Sequence, residues 1–531
     1  MKRSIKKFTP LLLFVILAFA LVGCGNKENV TKDKNENTKE VKVENAQVNK
    51  EEEIVLASYR DMAPGEKDGY YCSSALYVWE PLITQDESGT PIPCLAESWK
   101  KSDDGKVWTF NLRKNVTFHD GSKFNADTVI ANLERIKTEV KKSGFYPLDI
   151  ESHYPGLVKY EKTDDYTLVL TFEKPSPTQD YNMVDWGSAI YAPTCFDENN
   201  DFNGPAIGTG PFKILDHVPE QYVTIERNDE YWGEKSKAQQ VKIKVIPDTD
   251  TKYSALKSEE IMGVLDLNAI SPSHANELKG SKDFNLETSK STMIRFLIPN
   301  GKKFPFNDVR MRQALSLIID RDEIVEAVHY GFATPTQNIL NNSTPFYKDL
   351  PVEHNVEKAK ALAKEVIGDK AVEVDYYFSE SDPVLKTECE LVSSYMEELG
   401  LKVNLHPVDY SLMKEKMKTG DFDLARAQQG LSNGEASTIF KRFMLPDGDH
   451  NQNYSLGYDN PKVNELMAQA SKTLDLKERK AIYDEIQYIS AQDLPIIPLF
   501  NDKTLLAHNN KIDGYDAKLY GLELPHIFWA K

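Results

Sequence analysis

Apolar and polar residues follow a clear pattern over residues 108–136. Every second residue from Trp108 to Leu112 is apolar, which is the period of a strand with one buried face. A turn at His119-Asp120-Gly121 follows, and Asn125 then stands where a helix N-cap is expected. An apolar stripe indicates the helix and consists of Val129, Ile130, Leu133 and Ile136. The pattern therefore predicts a strand, a turn and a helix.

Residues 372–427 show a different arrangement, in which strand and helix patterns take turns. Strands are predicted at 372–378, 401–405 and 423–427, and the segments between them carry apolar residues at helical spacing. Such alternation is typical of a parallel sheet with right-handed crossovers. We therefore predict an α/β fold for this part of the chain.

The loop after the last of these strands is the best candidate for a binding site. Ligands of open α/β sheets bind beyond the carboxyl ends of the parallel strands. The loop is polar and contains glycines, so it can present amide groups and one carboxylate to a ligand. Its candidate ligand-binding residues are Gln428, Gln429, Ser432, Asn433 and Glu435.

The first 53 residues carry signals for export instead of a folded core. Residues 1–23 combine a basic start with an apolar run that is too short to span a bilayer, which is typical of a signal peptide. The run ends in Leu21-Val22-Gly23-Cys24, which resembles a bacterial lipobox and implies a lipid on Cys24. The alternative is an uncleaved N-terminal helix. Residues 24–53 are rich in Lys, Glu and Asn, so we predict that the lipidated cysteine is followed by a disordered tether.

Composition narrows the classes of function. The chain has 531 residues, enough for two or three domains, and its formal net charge of −18 would repel nucleic acid. Its five cysteines form no Cys-x-x-Cys pair, which argues against a zinc knuckle. Cys72 and Cys94 either form a disulfide or stay free. The sequence has no P-loop and no dinucleotide fingerprint, and we predict that the protein is not an enzyme and holds no cofactor.

Several short motifs occur along the chain in the order found in a known protein family. They are Glu80-Pro81-Leu82, Leu95-Ala96-Glu97-Ser98-Trp99, Phe118-His119-Asp120-Gly121, Ile207-Gly208-Thr209-Gly210-Pro211-Phe212, Tyr231-Trp232-Gly233, and Asp308-Val309-Arg310 with Ile319-Asp320-Arg321. From about residue 54 to the end, the chain resembles the peptide- and nickel-type (family 5) extracellular solute-binding proteins of bacterial ABC importers. Motifs in this order indicate the family, but they do not indicate the ligand.

The resemblance implies an architecture. We expect an α/β, two-lobe, periplasmic-binding-protein-like fold (type II, large cluster), with a hinge between the lobes and an extra subdomain in lobe 1. Lobe 1 would cover residues 54–290, with the subdomain at about 92–200, lobe 2 would cover 291–494, and 495–531 would return to lobe 1. The chain would cross between lobes near 293–298 and again near 494–500. Two crossings allow the lobes to close on a ligand.

The resemblance also implies roles for particular residues in ligand binding. The loop that begins at Tyr59 and Arg60, with Tyr71 soon after, would lie at the mouth of the cleft; its aromatic residues either close on a ligand or pack the loop onto the body. Glu435 would hold the α-ammonium group of a peptide, or would act only as a helix N-terminal acid. His450 would bind metal only if the cargo is a metal chelate, and otherwise is an ordinary loop histidine.

One departure from the family affects the expected cargo. Many relatives have a tryptophan at the start of the binding loop, where this chain has Gln428 and Gln429. This argues against a copy of dipeptide or nickel-complex binding.

These features predict a membrane-tethered, monomeric receptor that captures a short peptide and delivers it to an ABC permease and its ATPase. The close alternative is a nickel or other metal–chelate complex. A surface signalling receptor or adhesin, and an exported hydrolase with paired carboxylates, are alternatives from other classes. The predicted location is the outer face of the cytoplasmic membrane, on a Gram-positive cell.

Overall fold

A computed structural model of the chain describes residues 53–63, 74–137, 150–184, 188–199, 203, 205–266, 269–380, 383–430, 434–519 and 521–530. The predicted signal peptide, Cys24, the tether up to residue 52, Tyr71, Cys72, Ser432 and Asn433 lie outside these residues. The last position of the predicted tether, Glu53, is instead the first residue of a strand. Within the described ranges, none of the helices combines the length and the apolar character needed to cross a bilayer.

The strands are numbered in chain order. They are β1 (Glu53–Ser58), β2 (Glu80–Pro81), β3 (Ile83–Gln85), β4 (Pro91–Pro93), β5 (Ala96–Lys101), β6 (Val107–Leu112), β7 (Leu157–Asp164), β8 (Thr167–Phe172), β9 (Ala189–Ile190), β10 (Phe212–Val218), β11 (Tyr222–Arg227), β12 (Gln240–Val245), β13 (Gly263–Val264), β14 (Phe284–Pro299), β15 (Ala333–Pro335), β16 (Val372–Ser379), β17 (Leu401–Val408), β18 (Leu424–Gln429), β19 (Ile497–Asn509), β20 (Ile512–Asp513), β21 (Ala517–Lys518), β22 (Gly521–Leu522) and β23 (Phe528–Trp529).

The helices are numbered in the same way. They are α1 (Ala126–Arg135), α2 (Ile150–His153), α3 (Gln179–Asn182), α4 (Thr249–Lys257), α5 (Pro272–Leu278), α6 (Val309–Ile318), α7 (Arg321–Ala327), α8 (Val356–Ile367), α9 (Pro383–Glu398), α10 (Tyr410–Thr419), α11 (Ser437–Met444), α12 (Asp449–Asn453), α13 (Pro461–Ala470) and α14 (Leu476–Asp493).

Local sequence signals explain several of these elements. Asn125 caps α1 as predicted: its side chain accepts from Thr128 N, and the Thr128 side chain bonds back to the cap in a capping box. Asp475 accepts from the backbone N–H groups of Lys477 and Glu478 at the start of α14. The predicted strand–helix alternation is confirmed, because β16 pairs in parallel with both β17 and β18.

One sheet of eleven strands runs through the molecule. Its order is β10-β11-β12-β1-β13-β19-β14-β18-β16-β17, and β15 pairs with β19. One end of this sheet packs on a core that includes Leu56 and Leu506. At the other end two separate cores cover opposite faces, one around Phe296 and Phe440 and one around Leu297.

Strands β14 and β19 connect the two ends of this sheet. Residues 284–290 of β14 pair with residues 503–509 of β19. After the bulge, residues 294–297 pair with residues 497–501 of β19 on one side, and residues 294–299 pair with β18 on the other. The register shifts between Lys290 and Ile294, so a bulge interrupts β14 at the changeover. Both predicted crossing segments, 293–298 and 494–500, overlap these strands.

A second sheet of four strands, in the order β5-β6-β8-β7, lies within the predicted inserted subdomain. This subdomain contacts the second half of the chain. Lys101 Nζ donates to the Leu474 carbonyl oxygen at 3.0 Å, and the ring centroids of Tyr181 and Phe346 are 5.3 Å apart. The subdomain therefore packs against segments of the second half of the chain on both sides of β18 in sequence.

Three of the motifs quoted above meet at one buried carboxylate. Glu80 accepts hydrogen bonds from Thr209 Oγ1 (2.7 Å), Tyr231 Oη (2.6 Å) and Trp232 Nε1 (2.9 Å). Burial raises the pKa of Glu80 despite these hydrogen bonds. Gly210 is required because a Cβ there would lie 2.2 Å from the Tyr77 carbonyl oxygen. These three motifs thus join segments of the chain that are distant in sequence.

Three of the five cysteines lie in the described ranges, namely Cys94, Cys195 and Cys389. All three are buried free thiols, and burial raises the pKa of each.

Candidate functional site

The carboxyl end of β18 places Gln429 beside His450. His450 Nε2 lies 3.0 Å from Gln429 Oε1, and Gln429 Nε2 donates to the Gly430 carbonyl oxygen. The two residues are 21 positions apart in sequence, and the fold brings them together because α11 and α12 turn the chain back to the strand end. Two candidates from the sequence therefore belong to one hydrogen-bonded group.

His450 is held on several sides. It lies in the short helix α12, and its ring centroid is 4.8 Å from that of Phe443 and 4.6 Å from that of Tyr454. Its Nδ1 is 3.1 Å from Asp449 Oδ2. Burial alone would raise the pKa of Asp449, but the hydrogen bond and charge of His450 outweigh it, so the pKa is lowered. Both ring nitrogens of His450 thus face oxygen acceptors of the chain.

Glu435 is 2% exposed and lies just before α11. Its Oε1 accepts from Tyr483 Oη (2.7 Å) and Ser437 N (2.9 Å), and it is 3.5 Å from an Arg479 guanidinium nitrogen. Burial would raise the pKa of Glu435, but the charge of Arg479 and hydrogen bonds including one with Thr178 lower it. The bond from Ser437 N is at the start of α11, whereas Tyr483 and Arg479 belong to α14. Both expected roles of Glu435, as a helix N-terminal acid and as a partner of a ligand ammonium group, stay predictions.

Arg479 and Tyr483 were not identified from the sequence. They are four residues apart in α14 and therefore lie on one face of that helix. This spacing is visible in the sequence. Their partner, Glu435, is 44 residues away from Arg479, so the sequence does not indicate that the three side chains meet.

The candidates of the first lobe lie directly after β1. The backbone N–H of Tyr59 donates to Asp266 Oδ2 at 2.6 Å, and the Arg60 guanidinium carbon lies 4.6 Å from the Tyr59 ring centroid. Tyr59 is 36% exposed, so its ring is partly open to solvent. Asp61, two residues after Tyr59, accepts a hydrogen bond at Oδ2 from Glu220 N at 3.0 Å, and the same oxygen lies 2.8 Å from His217 Nε2. The loop is anchored while Tyr59 stays accessible.

A buried ion pair supports this loop. Lys252 Nζ is 3.7 Å from Asp266 Oδ1, and both side chains are almost fully buried. Burial lowers the pKa of Lys252 and raises that of Asp266, although each charge favours the ionised form of the other. Asp266 directly follows the apolar run at β13, which is the signal by which the sequence could have identified it.

One group of three described side chains could offer ligand atoms to a metal ion. Asp516, Glu523 and His526 have donor atoms within 4.8 Å of one another, and none of them is buried. Lys518 Nζ lies 3.3 Å from Glu523 Oε2 and competes with a cation for that carboxylate. None of the three is among the predicted site residues, and His450 is not part of the group.

The loop after β18 also contains the letters of a nucleophile motif. Residues 430–434 have the letters Gly-x-Ser-x-Gly, and they lie between a strand and a helix. A nucleophilic serine on such a turn needs a histidine whose free ring nitrogen can take its proton. Ser432 is outside the described residues, and Nε2 of His450 already faces Gln429.

Comparison with known proteins shows which family the chain is similar to. The model of the bacterial extracellular solute-binding proteins, family 5 (Middle), matches residues 90–483. Heme-binding protein A of Haemophilus influenzae is 27% identical over 481 residues, covering 85% of this chain and 87% of the relative. The dipeptide-binding protein of Escherichia coli is 26% identical over 474 residues, covering 84% and 87%.

Solved structures agree on the fold. NikA from Brucella suis in complex with Fe(III)-EDTA matches with a TM-score of 0.79 and 21% identity, over 90% of this chain and 100% of that chain. The substrate-binding protein CtaP from Listeria monocytogenes matches with a TM-score of 0.79 and 23% identity, over 90% and 99%. The predicted two-lobe α/β fold is thereby confirmed.

Proposed function

Because the chain belongs to family 5 of the bacterial extracellular solute-binding proteins, which serve ABC importers, we propose that its cargo is a short peptide. The peptide would be captured between the two lobes and delivered to the membrane permease and its ATPase. The extracellular or periplasmic side of the membrane is where proteins of this family work.

The observation that carries the choice of a peptide is the state of His450. A metal-bound imidazole must offer one nitrogen without a proton, but both nitrogens of His450 already face oxygen acceptors at 3.0 and 3.1 Å. Metal binding would have to break one of these contacts. A peptide needs amide donors and acceptors instead, and the loop after β18 is rich in them.

The relatives support two cargo classes. The similarity to the dipeptide-binding protein of Escherichia coli supports a peptide. The similarity to NikA in complex with Fe(III)-EDTA, together with the position of His450 at the end of β18, supports a metal chelate as the second candidate. A chelate would supply most of the metal ligands itself, so a single histidine would suffice.

We propose the same ligand-binding residues as the sequence predicts. They are Tyr59, Arg60 and Tyr71 on the first lobe and Gln428, Gln429, Ser432, Asn433, Glu435 and His450 on the second. For Glu435, contact with a peptide ammonium group has to compete with Arg479, which already balances its charge. The lobe boundaries at residues 290 and 494 are part of this proposal.

Attachment and assembly complete the proposal. The signal peptide would be removed before Cys24, the lipidated cysteine would anchor the chain to the cytoplasmic membrane of a Gram-positive cell, and the protein would act as a monomer. Mass spectrometry of the processed N-terminal peptide tests the first two points, because a lipid on Cys24 adds a fixed mass. An unmodified Met1 on the cell-associated protein would refute them.

We propose that the protein has no catalytic activity. The loop at 430–434 has the letters of a nucleophile motif, but the general-base nitrogen of His450 already faces Gln429. Hydrolysis of p-nitrophenyl acetate should not exceed that of Ser432→Ala. Esterase activity of the wild type that Ser432→Ala abolishes would favour the exported hydrolase instead.

The decisive experiment for the cargo is native mass spectrometry of the full-length chain, solubilised in mild detergent and purified without chelator. Adducts of several masses that match short peptides support the proposal. One adduct that contains a metal ion would shift the assignment to chelate uptake, and His450→Ala should then lose it. His354→Ala, the same change at an exposed histidine outside the proposed site, is the matched control.

A protein that carries no adduct and binds neither class on titration would favour a signalling receptor or adhesin. Genes for a permease and an ATPase beside this one would support transport, and their absence would support that alternative.

A further inference from the structure

Asn501 is a buried amide whose hydrogen bonds are not accounted for. Its side chain is 0% exposed, yet neither Oδ1 nor Nδ2 has a hydrogen-bond partner among the described residues. Burying a carboxamide without partners costs free energy, and native proteins rarely leave both of its groups unused. Asn501 therefore calls for a functional explanation.

Asn501 lies one residue after the predicted crossing segment 494–500. Asn501 on β19 pairs with Ile294 on β14, and Ile294 pairs in turn with Gln429 on β18. Directly paired residues of neighbouring strands project from the same face of a sheet. Asn501 and Gln429 therefore face the same side, about 10 Å apart across two strand spacings.

The backbone around this point is irregular. The bulge of β14 falls at residues 291–293, next to Ile294. A Cβ on Gly430 would lie 2.9 Å from Met293 Sδ, so the start of the binding loop rests on the bulge. Asn341 Nδ2 also donates to the Met293 carbonyl oxygen at 2.8 Å. Bulges of this kind often lie next to binding sites, where they redirect side chains.

We propose that Asn501 binds one peptide unit of the cargo at the floor of the cleft, an inference that rests on the proposed function. A carboxamide offers one acceptor and one donor group, which complement the N–H and C=O of a peptide unit. The amide of Gln429 would first have to give up bonds within the chain, because its Oε1 faces His450 and its Nε2 donates to Gly430. The carboxylates of a metal chelate offer acceptors only and would leave Oδ1 of Asn501 unused.

The test replaces the amide by an apolar group of similar size. Asn501→Leu should melt at a higher temperature than the wild type without ligand, because the uncompensated amide is gone. Its Kd for short peptides, measured by isothermal titration calorimetry with full-length protein in detergent, should rise about tenfold or more. Asn276→Leu, the same change on an exposed helical residue, should leave Kd unchanged.

A Leu variant that is more stable and binds peptides as well as the wild type would overturn the inference, since the amide would then serve only the folded chain. If Asn501→Leu fails to fold, Asn501→Ser gives the answer: weakened binding supports the inference and unchanged Kd overturns it. Both variants are compared on the peptide that binds the wild type best.

Failure of the proposed function looks different. A wild-type protein that binds no peptide from a pool of two to five residues, but binds nickel–histidine, overturns the peptide assignment and this inference together. A wild type that binds peptides, with Asn501→Leu equal to it, overturns the inference alone.

Discussion

The buried pair of Glu388 and Arg426 gives the sharpest test of the second lobe. Glu388 on α9 is 0% exposed and Arg426 on β18 is 3% exposed. Arg426 donates to both carboxylate oxygens through Nε and Nη2, and Nε2 of His329 lies 3.3 Å from Oε2. Because Arg426 is three residues from Gln429, this pair holds the strand that ends at the binding loop.

The pKa of Glu388 gives the size of the contribution that this pair makes to the free energy of folding. Burial would raise it, but the charge of Arg426 and the hydrogen bonds of His329 and Arg426 outweigh burial and lower it from 4.5 to about 2. A change of this size corresponds to about 3 kcal/mol of folding free energy. Since the folded-state pKa is the lower one, this contribution is present above pH 4.5 and is lost as the pH falls toward 2.

Arg426→Met leaves a buried carboxylate without its main partner and should lower the free energy of unfolding by about 3–5 kcal/mol at pH 7. The double variant Glu388→Leu/Arg426→Met should recover most of this loss, because no buried charge remains. Urea unfolding followed by tryptophan fluorescence measures both, at pH 7 and at pH 3. The deficit of Arg426→Met should shrink at pH 3, where the wild type has lost part of the same contribution.

The matched control is Arg310→Met. Arg310 pairs with Asp308, but its side chain is 45% exposed, so the change should cost less than about 1 kcal/mol. A loss of under 1 kcal/mol for Arg426→Met at pH 7, or an equal loss at both pH values, would refute the reasoning.

Three further changes test other parts of the chain. Glu435→Gln leaves Arg479 buried without a counter-charge and should cost about 3 kcal/mol in urea unfolding, and unchanged stability would contradict the pairing. Lys252→Met should lower the melting temperature by several degrees, and adding Asp266→Asn should restore part of it; no recovery would argue against the ion pair. Asn125→Ala removes the capping box of α1 and should cost about 1 kcal/mol, which thermal unfolding can detect.

The sequence predicted elements well where the signal is local. The N-cap at Asn125 and the alternating strands and helices of residues 372–427 depend on spacing within one element, and the structure has them. Motifs shared with the family indicated the first half of the fold, and the contacts of Glu80 show why they occur together.

The candidate site was less predictable because its contacts join distant parts of the chain. Gln429 and His450 were both named as ligand candidates, but their bond to each other depends on how two helices turn. Arg479 carries no local signal that it would balance Glu435. Asn501 follows the apolar run at 496–500, and only the finished sheet shows that its amide is buried with no hydrogen-bond partner among the described residues.

The bulged, two-strand connection of β14 and β19 sets the direction in which the halves of the molecule can move. Two hydrogen-bonded strands form a ribbon, which flexes easily out of its own plane but resists stretching and sliding within it, because in-plane motion would break hydrogen bonds. The interruption between Lys290 and Ile294 leaves that ribbon with fewer hydrogen bonds at the changeover. The two halves should therefore move by hinge rotation about one axis, without shear between them.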